Sequence, residues 1–593
     1  MSDMLRRKNL RSRPKGASHD GKRRTGVPPG GPLSHRERGA VGTERGYFAL
    51  VLHAHLPFVR HPEYEDCLEE QWFYEAVVET YIPLVQILEG WVRDRVPFRL
   101  TISLSPTLVA MFQDPLLQSR ALRHIRRLIE LSDREVKRTR RQPEFRRVAE
   151  MYRERLRKAL RLFLRYDRDL VQAFRGFQEM GGLECITCPA THALLPLLSV
   201  NEEAVRAQVR MGVEEYRQSF GRNPPGIWLP ECGYYPGLDK ILGEFGIRYF
   251  FVESHGLFHA EPRPRYGVHA PVYTPSGVAA FGRDPETSKA VWSSIEGYPG
   301  DFDYREFYRD IGYDLDHETI KPYLPGGGIR TDTGIKYYRI TGKTDHKEPY
   351  VRSRAMEKAA MHAGNFMVNR EKQIEYLSSI MDRRPVVVAP YDAELFGHWW
   401  FEGPEWIDLF IRKAAHDQRT FQLITPSEYL DLYPMNQVCT PAASSWGYRG
   451  YNEVWLNGNN DWIYPHLHRA ADLMVEFAGR FPRARGLPRR ALNQAARELL
   501  LAQASDWAFM MKTGTTVDYA TKRTRSHLAR FLRLTHQIQA GGIEEEWLSQ
   551  LELGNGVFRG IDYRVYVPPS SAKEFVSSPS VPASRDAAGL ENG

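Results

Sequence analysis

Residues 384–400 read R-P-V-V-V-A-P-Y-D-A-E-L-F-G-H-W-W, and the fold is decided by how this stretch is read. Val386, Val387 and Val388 form a β-branched run between prolines, which predicts a short buried strand rather than a helix. The strand delivers Asp392 at its end, with Phe396, His398, Trp399 and Trp400 beyond it. Upstream, residues 226–237 (G-I-W-L-P-E-C-G-Y-Y-P-G) repeat the arrangement, with Glu231 beside Trp228, Tyr234 and Tyr235. A third apolar run opens the ordered chain at Gly46 (G-Y-F-A-L-V-L-H-A-H-L-P-F) and ends on His53 and His55.

Between these runs lie helical patterns, including the amphipathic pieces R-H-I-R-R-L-I-E-L and R-K-A-L-R-L-F-L within residues 119–178. Strands alternating with helices predict parallel βαβ units, whose strand ends gather reactive groups on one face. His53, His55, His192, Glu231 and Asp392 all fall at such ends. From about residue 417 the pattern becomes helical. The expected organisation is therefore a basic disordered tail (1–45), an α/β catalytic domain (46–416), a helical domain (417–565) and a second disordered tail (566–593).

The net charge of +8 resides in that first tail, where residues 1–45 hold 12 Lys or Arg against 4 Asp or Glu. The remainder is balanced, which argues against a nucleic-acid-binding body and leaves weak polyanion contact by the tail as the only such expectation. No apolar run reaches the roughly 18 residues of a membrane span and no signal peptide is apparent, so a cytoplasmic protein is expected. Five cysteines make no disulfide scaffold, and Cys185 and Cys188 lack a second pair to complete a zinc site.

Two carboxylates among aromatics suit a glycosidic bond, whose cleavage needs one group at the anomeric carbon and a protonated partner at the leaving oxygen. Glu231 and Asp392 have the right character, although either acid is equally able to serve as a cap or ion-pair partner. His53 and His55, two apart on a strand, face the same way. They fit hydrogen bonding to hydroxyls or, alternatively, ligation of a metal in a metal-dependent hydrolase. Most tryptophans are core residues, but residues 444–462 interleave Trp with Gly and Asn and predict an exposed loop carrying Trp446 and Trp455.

Five ordered motifs (H-A-H-L-P, G-L-E-C-I-T-C-P-A-T-H, W-L-P-E-C-G-Y, Y-D-A-E-L-F-G-H-W-W and Q-A-S-D-W) make residues 46–540 resemble glycoside hydrolase family 57, in its branch of α-glucan branching enzymes and related amylases. The resemblance implies an incomplete (β/α)7 barrel, a helical C-terminal domain over its mouth, and a retaining double displacement without metal or other cofactor. It casts Glu231 as nucleophile and Asp392 as acid/base. His53, His55, Trp72, Trp228, Trp292, His398, Trp399, Trp446, Trp455, Asp506 and Trp507 become the substrate-binding set. The implied partner is an α-glucan such as amylose or a glycogen-like polymer, and the implied activity is 1,4-α-glucan branching, with α-amylase or 4-α-glucanotransferase activity as the alternative and a silent glycogen-binding protein as a further class. Branching members cover the site with a longer, tyrosine-bearing loop. Here Glu231 leads almost directly into L-D-K-I-L-G-E-F, leaving Tyr266 and Tyr273 as lid candidates.

Overall fold

The computed structural model describes residues 44–568, apart from 294, 295 and 327; both predicted tails fall largely outside the described residues. Strand β1 (Gly46–Ala54) is buried along its whole length, as an uninterrupted apolar run requires. It pairs in parallel with β2 (Leu100–Leu104) and β8 (Val386–Asp392), and β2 pairs with β3 (Leu183–Ile186). A second group joins β4 (Gly226–Ile227), β5 (Tyr249–Val252) and β7 (Ala279–Gly282), also in parallel.

Two slender joints connect the groups. The bridge Thr187–Ile227 carries the order from β3 to β4, and the Asp284 N–H donates to the Val388 carbonyl at 2.9 Å, carrying it from β7 back to β8. The result is a ring of seven parallel strands, β1, β2, β3, β4, β5, β7 and β8, in agreement with the expected incomplete (β/α)7 barrel. Antiparallel β6 (Val272–Tyr273) and short β9 (Phe421–Leu423) are appended to β7 and β1.

Helices cover the ring. The charged region beyond β2 forms α1 (Pro115–Arg138) and α2 (Pro143–Arg165), each burying one apolar stripe. Asp114 caps α1 by accepting from the Leu116 and Leu117 N–H groups, and a proline at its start loses no needed donor. Between β7 and β8 the chain makes a long excursion of short turns over residues 297–350. It is not loosely held: Asp310 accepts from the backbone N–H groups of Gly312, Thr333 and Gly334, with the ammonium of buried Lys336 3.7 Å away. So long a segment with little regular structure is characteristic of a functional loop.

The C-terminal helices are α3 (Ile463–Arg480), α4 (Gly486–Ala502), α5 (Ser505–Thr513) and α6 (Val517–Ala540). Helix α4 is buried almost all round from Ala491 onward, so it is the axis of the bundle. Leu499 and Leu500 are fully buried, and each such side chain contributes about 1.5–3 kcal/mol. The turn after α4 starts α5 at the barrel mouth, where Ser505 and Asp506 enter the site.

Candidate active site

The β1 register determines which side chains meet: His53 lies beside Asp392 of β8 on one edge and Ser103 of β2 on the other. Beyond β4 the backbone turns sharply. Glu231 and Cys232 adopt φ of 60° and 52°, consecutive left-handed conformations in side-chain-bearing residues that cost about 1–3 kcal/mol each. The elbow is held from residues 444–446, where Tyr234 and Ser444 exchange backbone hydrogen bonds and the Trp446 N–H donates to the Glu231 carbonyl at 2.9 Å. The Trp446 indole Nε1–H then donates to Glu231 Oε2 at 2.6 Å.

A layer of imidazoles floors the site. His53 Nδ1 lies 3.2 Å from Ser103 Oγ and its Nε2 3.0 Å from His192 Nε2, while its ring stacks on Trp228 at 4.7 Å. His192 reaches Ser505 Oγ through Nδ1 at 2.9 Å, and His55 bonds Ser105 Oγ at 2.9 Å and Asp506 at 3.1 Å. Burial, reinforced by the neighbouring imidazoles, holds His53 and His192 well below the usual histidine range. Both are therefore neutral near pH 7 and serve as hydrogen-bonding groups.

The metal alternative can be tested on this geometry. Nitrogen and oxygen atoms of His55, His192 and Asp506 lie within 4.8 Å of one another. Yet the His55 and His192 rings are stacked, with centroids 3.8 Å apart and planes 11° from parallel. Imidazole lone pairs lie in the ring plane, so stacked rings aim theirs side by side rather than at a common ion about 2 Å from each. His53, the other proposed ligand, has its two ring nitrogens engaged by Ser103 and His192. These residues fit a hydrogen-bonding floor and do not fit a metal centre.

Burial raises Glu231 to about 8, with Asp392 and Asp506 adding to the rise and the Trp446 donor opposing it. Burial likewise raises Asp392 to about 7, against the opposing pull of Arg283 and His55. Among the described residues no group donates a hydrogen bond to the Asp392 carboxyl. Those values by themselves would leave a shared proton on Glu231; the hydrogen-bond geometry argues for the opposite order, because the indole N–H is aimed at Glu231 Oε2 and stabilises its anion while no donor reaches Asp392.

A third carboxyl, Glu394, escapes sequence reasoning, although it lies only two residues beyond Asp392. It accepts from the His55 N–H at 3.1 Å and from the Tyr81 hydroxyl, and burial, then Asp392, raises it to about 8. Arg283 escapes it too. It pairs with Glu253 at 2.9 Å and lies over the Trp446 ring at 5.3 Å, thereby bracing the indole that holds Glu231.

A cleft of ≈ 1460 Å³ opens above this floor, lined among others by His55, Trp72, Trp292, Asp392, Trp399 and Asp506. These residues lie together along one cleft, and Trp446, packed against Trp292, links them to Glu231. His53, 2 % exposed, does not face the cleft, and neither do three of the tryptophans. Trp228, Trp455 and Trp507 are 0 %, 2 % and 1 % exposed, so they support the site from beneath and offer no surface to a ligand. Thus only part of the 444–462 segment is exposed. His398 is tied to Glu79 at 2.6 Å and acts on the loop that carries it. The lid expectation also fails: the Tyr266 hydroxyl donates to Asp382, Tyr273 exchanges backbone bonds with the 437–439 strip, and neither lines the cleft.

Comparison with known proteins agrees with this geometry. Residues 49–441 match the model of glycosyl hydrolase family 57, and residues 466–566 match that of the 1,4-alpha-glucan branching enzyme C-terminal region. The chain is 33 % identical over 586 residues to a 1,4-alpha-glucan branching enzyme of Thermococcus kodakarensis, covering 91 % of this chain and 81 % of that one. Among solved structures it resembles the alpha-amylase AmyC of Thermotoga maritima (46 % identity, TM-score 0.83, 88 % and 99 % of the two chains covered). It also resembles the GH57-type branching enzyme of Pyrococcus horikoshii (33 % identity, TM-score 0.80, 88 % and 97 % covered).

Proposed function

The chain belongs to glycosyl hydrolase family 57, and on that footing we propose that it is a 1,4-α-glucan branching enzyme working by a retaining double displacement. The observation that carries the chemistry is the pairing of Glu231, its anion favoured by the Trp446 donor, with Asp392, half-buried at the cleft and without a donor of its own. Glu231 attacks the anomeric carbon of an α-1,4-linked glucan while Asp392 gives its proton to the departing O4. The glucan is then held as an ester on Glu231. A 6-hydroxyl of an acceptor glucan loses its proton to Asp392 and takes the anomeric carbon, so the ester breaks and an α-1,6 bond forms. The His55–Asp506 pair, which lines the cleft, binds hydroxyls, the buried His53 and His192 hold it from beneath, and the walls of the cleft limit interception by water.

The choice of branching rests on the C-terminal match and the branching relatives. A second reading, α-amylase, is favoured by the 46 % identity to a protein described as one and by the brevity of the chain between Glu231 and the helix beginning at Leu238. Incubation with amylose, then debranching and chain-length analysis, separates them. New α-1,6 points support branching, whereas reducing ends alone replace it with hydrolysis. The five free cysteines suit a reducing compartment, and we place the enzyme in cytoplasmic synthesis of a glycogen-like polymer.

A further inference from the structure

Two aromatic clusters stand at the cleft. One comprises Trp446, bonded to Glu231, with Trp292 packed edge-on against it at 6.0 Å. The other is Phe307 and Trp399, stacked with centroids 4.8 Å apart and planes 18° from parallel, together with adjacent Tyr308. Trp399 is 57 % and Tyr308 82 % exposed, an unusual display of large aromatic surface beside the cleft.

The second wall is built to keep its shape. The ammonium of buried Lys336 sits over the Phe307 ring at 5.0 Å and donates to the Phe307 carbonyl, while His398 meets the same ring edge-on at 5.7 Å. Trp399 rides on the loop that begins at Asp392, and its N–H donates to the Glu394 carbonyl at 3.3 Å. The outer faces of Trp399 and Tyr308 are open, flat and of a size to stack on pyranose rings.

We infer that Phe307, Tyr308 and Trp399 form the binding platform for the acceptor glucan, distinct from the donor wall at Trp446 and Trp292. This rests on the transfer reading of the site. The chemistry orients it: the acceptor's O6–H proton must pass to Asp392 as the anomeric carbon leaves Glu231 for O6. The acceptor therefore has to reach Asp392, which lines the same cleft as this platform and begins the loop that carries Trp399. The cleft exceeds the roughly 300–1,000 Å³ that holds one small ligand, as is needed where two chains meet.

The test uses the full-length protein with amylose as donor and an end-labelled maltodextrin as varied acceptor, with labelled product scored after debranching. W399A is expected to raise the ratio of acceptor KM to donor KM about tenfold, and Y308A to raise it less, since one stacking surface is lost in each. W399F should recover most of the effect, which a merely structural role for the indole does not predict. A ratio that is unchanged in W399A and Y308A, or that falls because donor KM rises instead, overturns the platform. A wild-type protein that releases reducing ends but labels no product overturns the branching reading itself, and the acceptor role with it. That failure is seen before any substitution is made.

Discussion

The Trp446 indole offers the sharpest test of how the site assigns its proton. In W446F the ring remains against Trp228 and Trp292, and the backbone N–H of residue 446 still donates to the Glu231 carbonyl; only the 2.6 Å bond to Glu231 Oε2 disappears. A hydrogen bond to a charged group contributes about 1.5–3 kcal/mol, and one pKa unit is about 1.4 kcal/mol, so the loss corresponds to about 1–2 units. The sign is fixed by which form the bond favours. The indole stabilises ionised Glu231, so its removal raises that group's pKa, and the acid limb of the kcat/KM profile moves up by about 1–2 pH units. On the acid side of the wild-type optimum, activity should fall by about 10–100-fold, and because Asp392, at about 7, loses its proton as the pH is raised, the maximum of the profile should fall as well. Reducing-end release from amylose across pH, alongside thermal melting, measures both. An acid limb that stays in place, with activity lowered equally at every pH, refutes the assignment of the anion to Glu231 through this donor.

Three further outcomes are expected. E231Q should lower cleavage and transfer together by at least about a thousandfold while melting at or above the wild-type temperature, because a buried charge is removed; residual turnover near wild type eliminates the covalent mechanism. D506N replaces the carboxylate that bonds His55 at 3.1 Å and should cost about 10–100-fold in kcat/KM, with a circular dichroism spectrum unchanged from the parent. G397A should lower the melting temperature by several degrees and impair catalysis, because a Cβ there would lie 1.9 Å from the Glu79 carbonyl at a φ of +114°; a variant with wild-type melting shows that the Asp392 loop yields more easily than its packing implies.

The barrel is legible where the chain must be apolar on both faces. Val386 to Val388 and residues 46–52 have no polar interruption, so their burial and their polar ends are apparent together. By contrast, β4 is only two residues long, and its place is marked by the Glu231 elbow at its end rather than by any periodicity. The misjudged tryptophans share a cause. Composition around Trp455 describes a turn-rich segment, but whether one ring turns inward is settled by helices far along the chain. The lid expectation for Tyr266 and Tyr273 rests on the shortness of the Glu231 loop, a reason that carries no spatial information. Glu394, Arg283 and the His192–Ser505 bond escape notice because their significance lies in contacts that no local pattern encodes; that last pair is separated by 313 residues. Phe307 lies in the irregular 297–350 excursion, where neither helical nor strand period marks a face.

The two joints of the strand ring bear on how this enzyme keeps time with its substrate. Glu231 lies just past β4 and Asp392 ends β8, so each reacting group belongs to a different half of the ring, and among the described residues the backbone pairing between the halves is confined to the Thr187–Ile227 bridge and the Asp284–Val388 bond. The gap between the carboxyls is consequently set across a seam inside a single chain, and side-chain packing holds it more than strand pairing does, through a buried cluster that includes Val51, Ile186, Trp228, Phe251 and Val388. Residues 444–446 and 505–506 act as straps across that boundary, gripping Glu231 from one side and the imidazole floor from the other. Loosening a strap would leave every catalytic group present yet spoil their spacing. Amide exchange at Ile227 and Asp284, quickened without global unfolding, would be its signature.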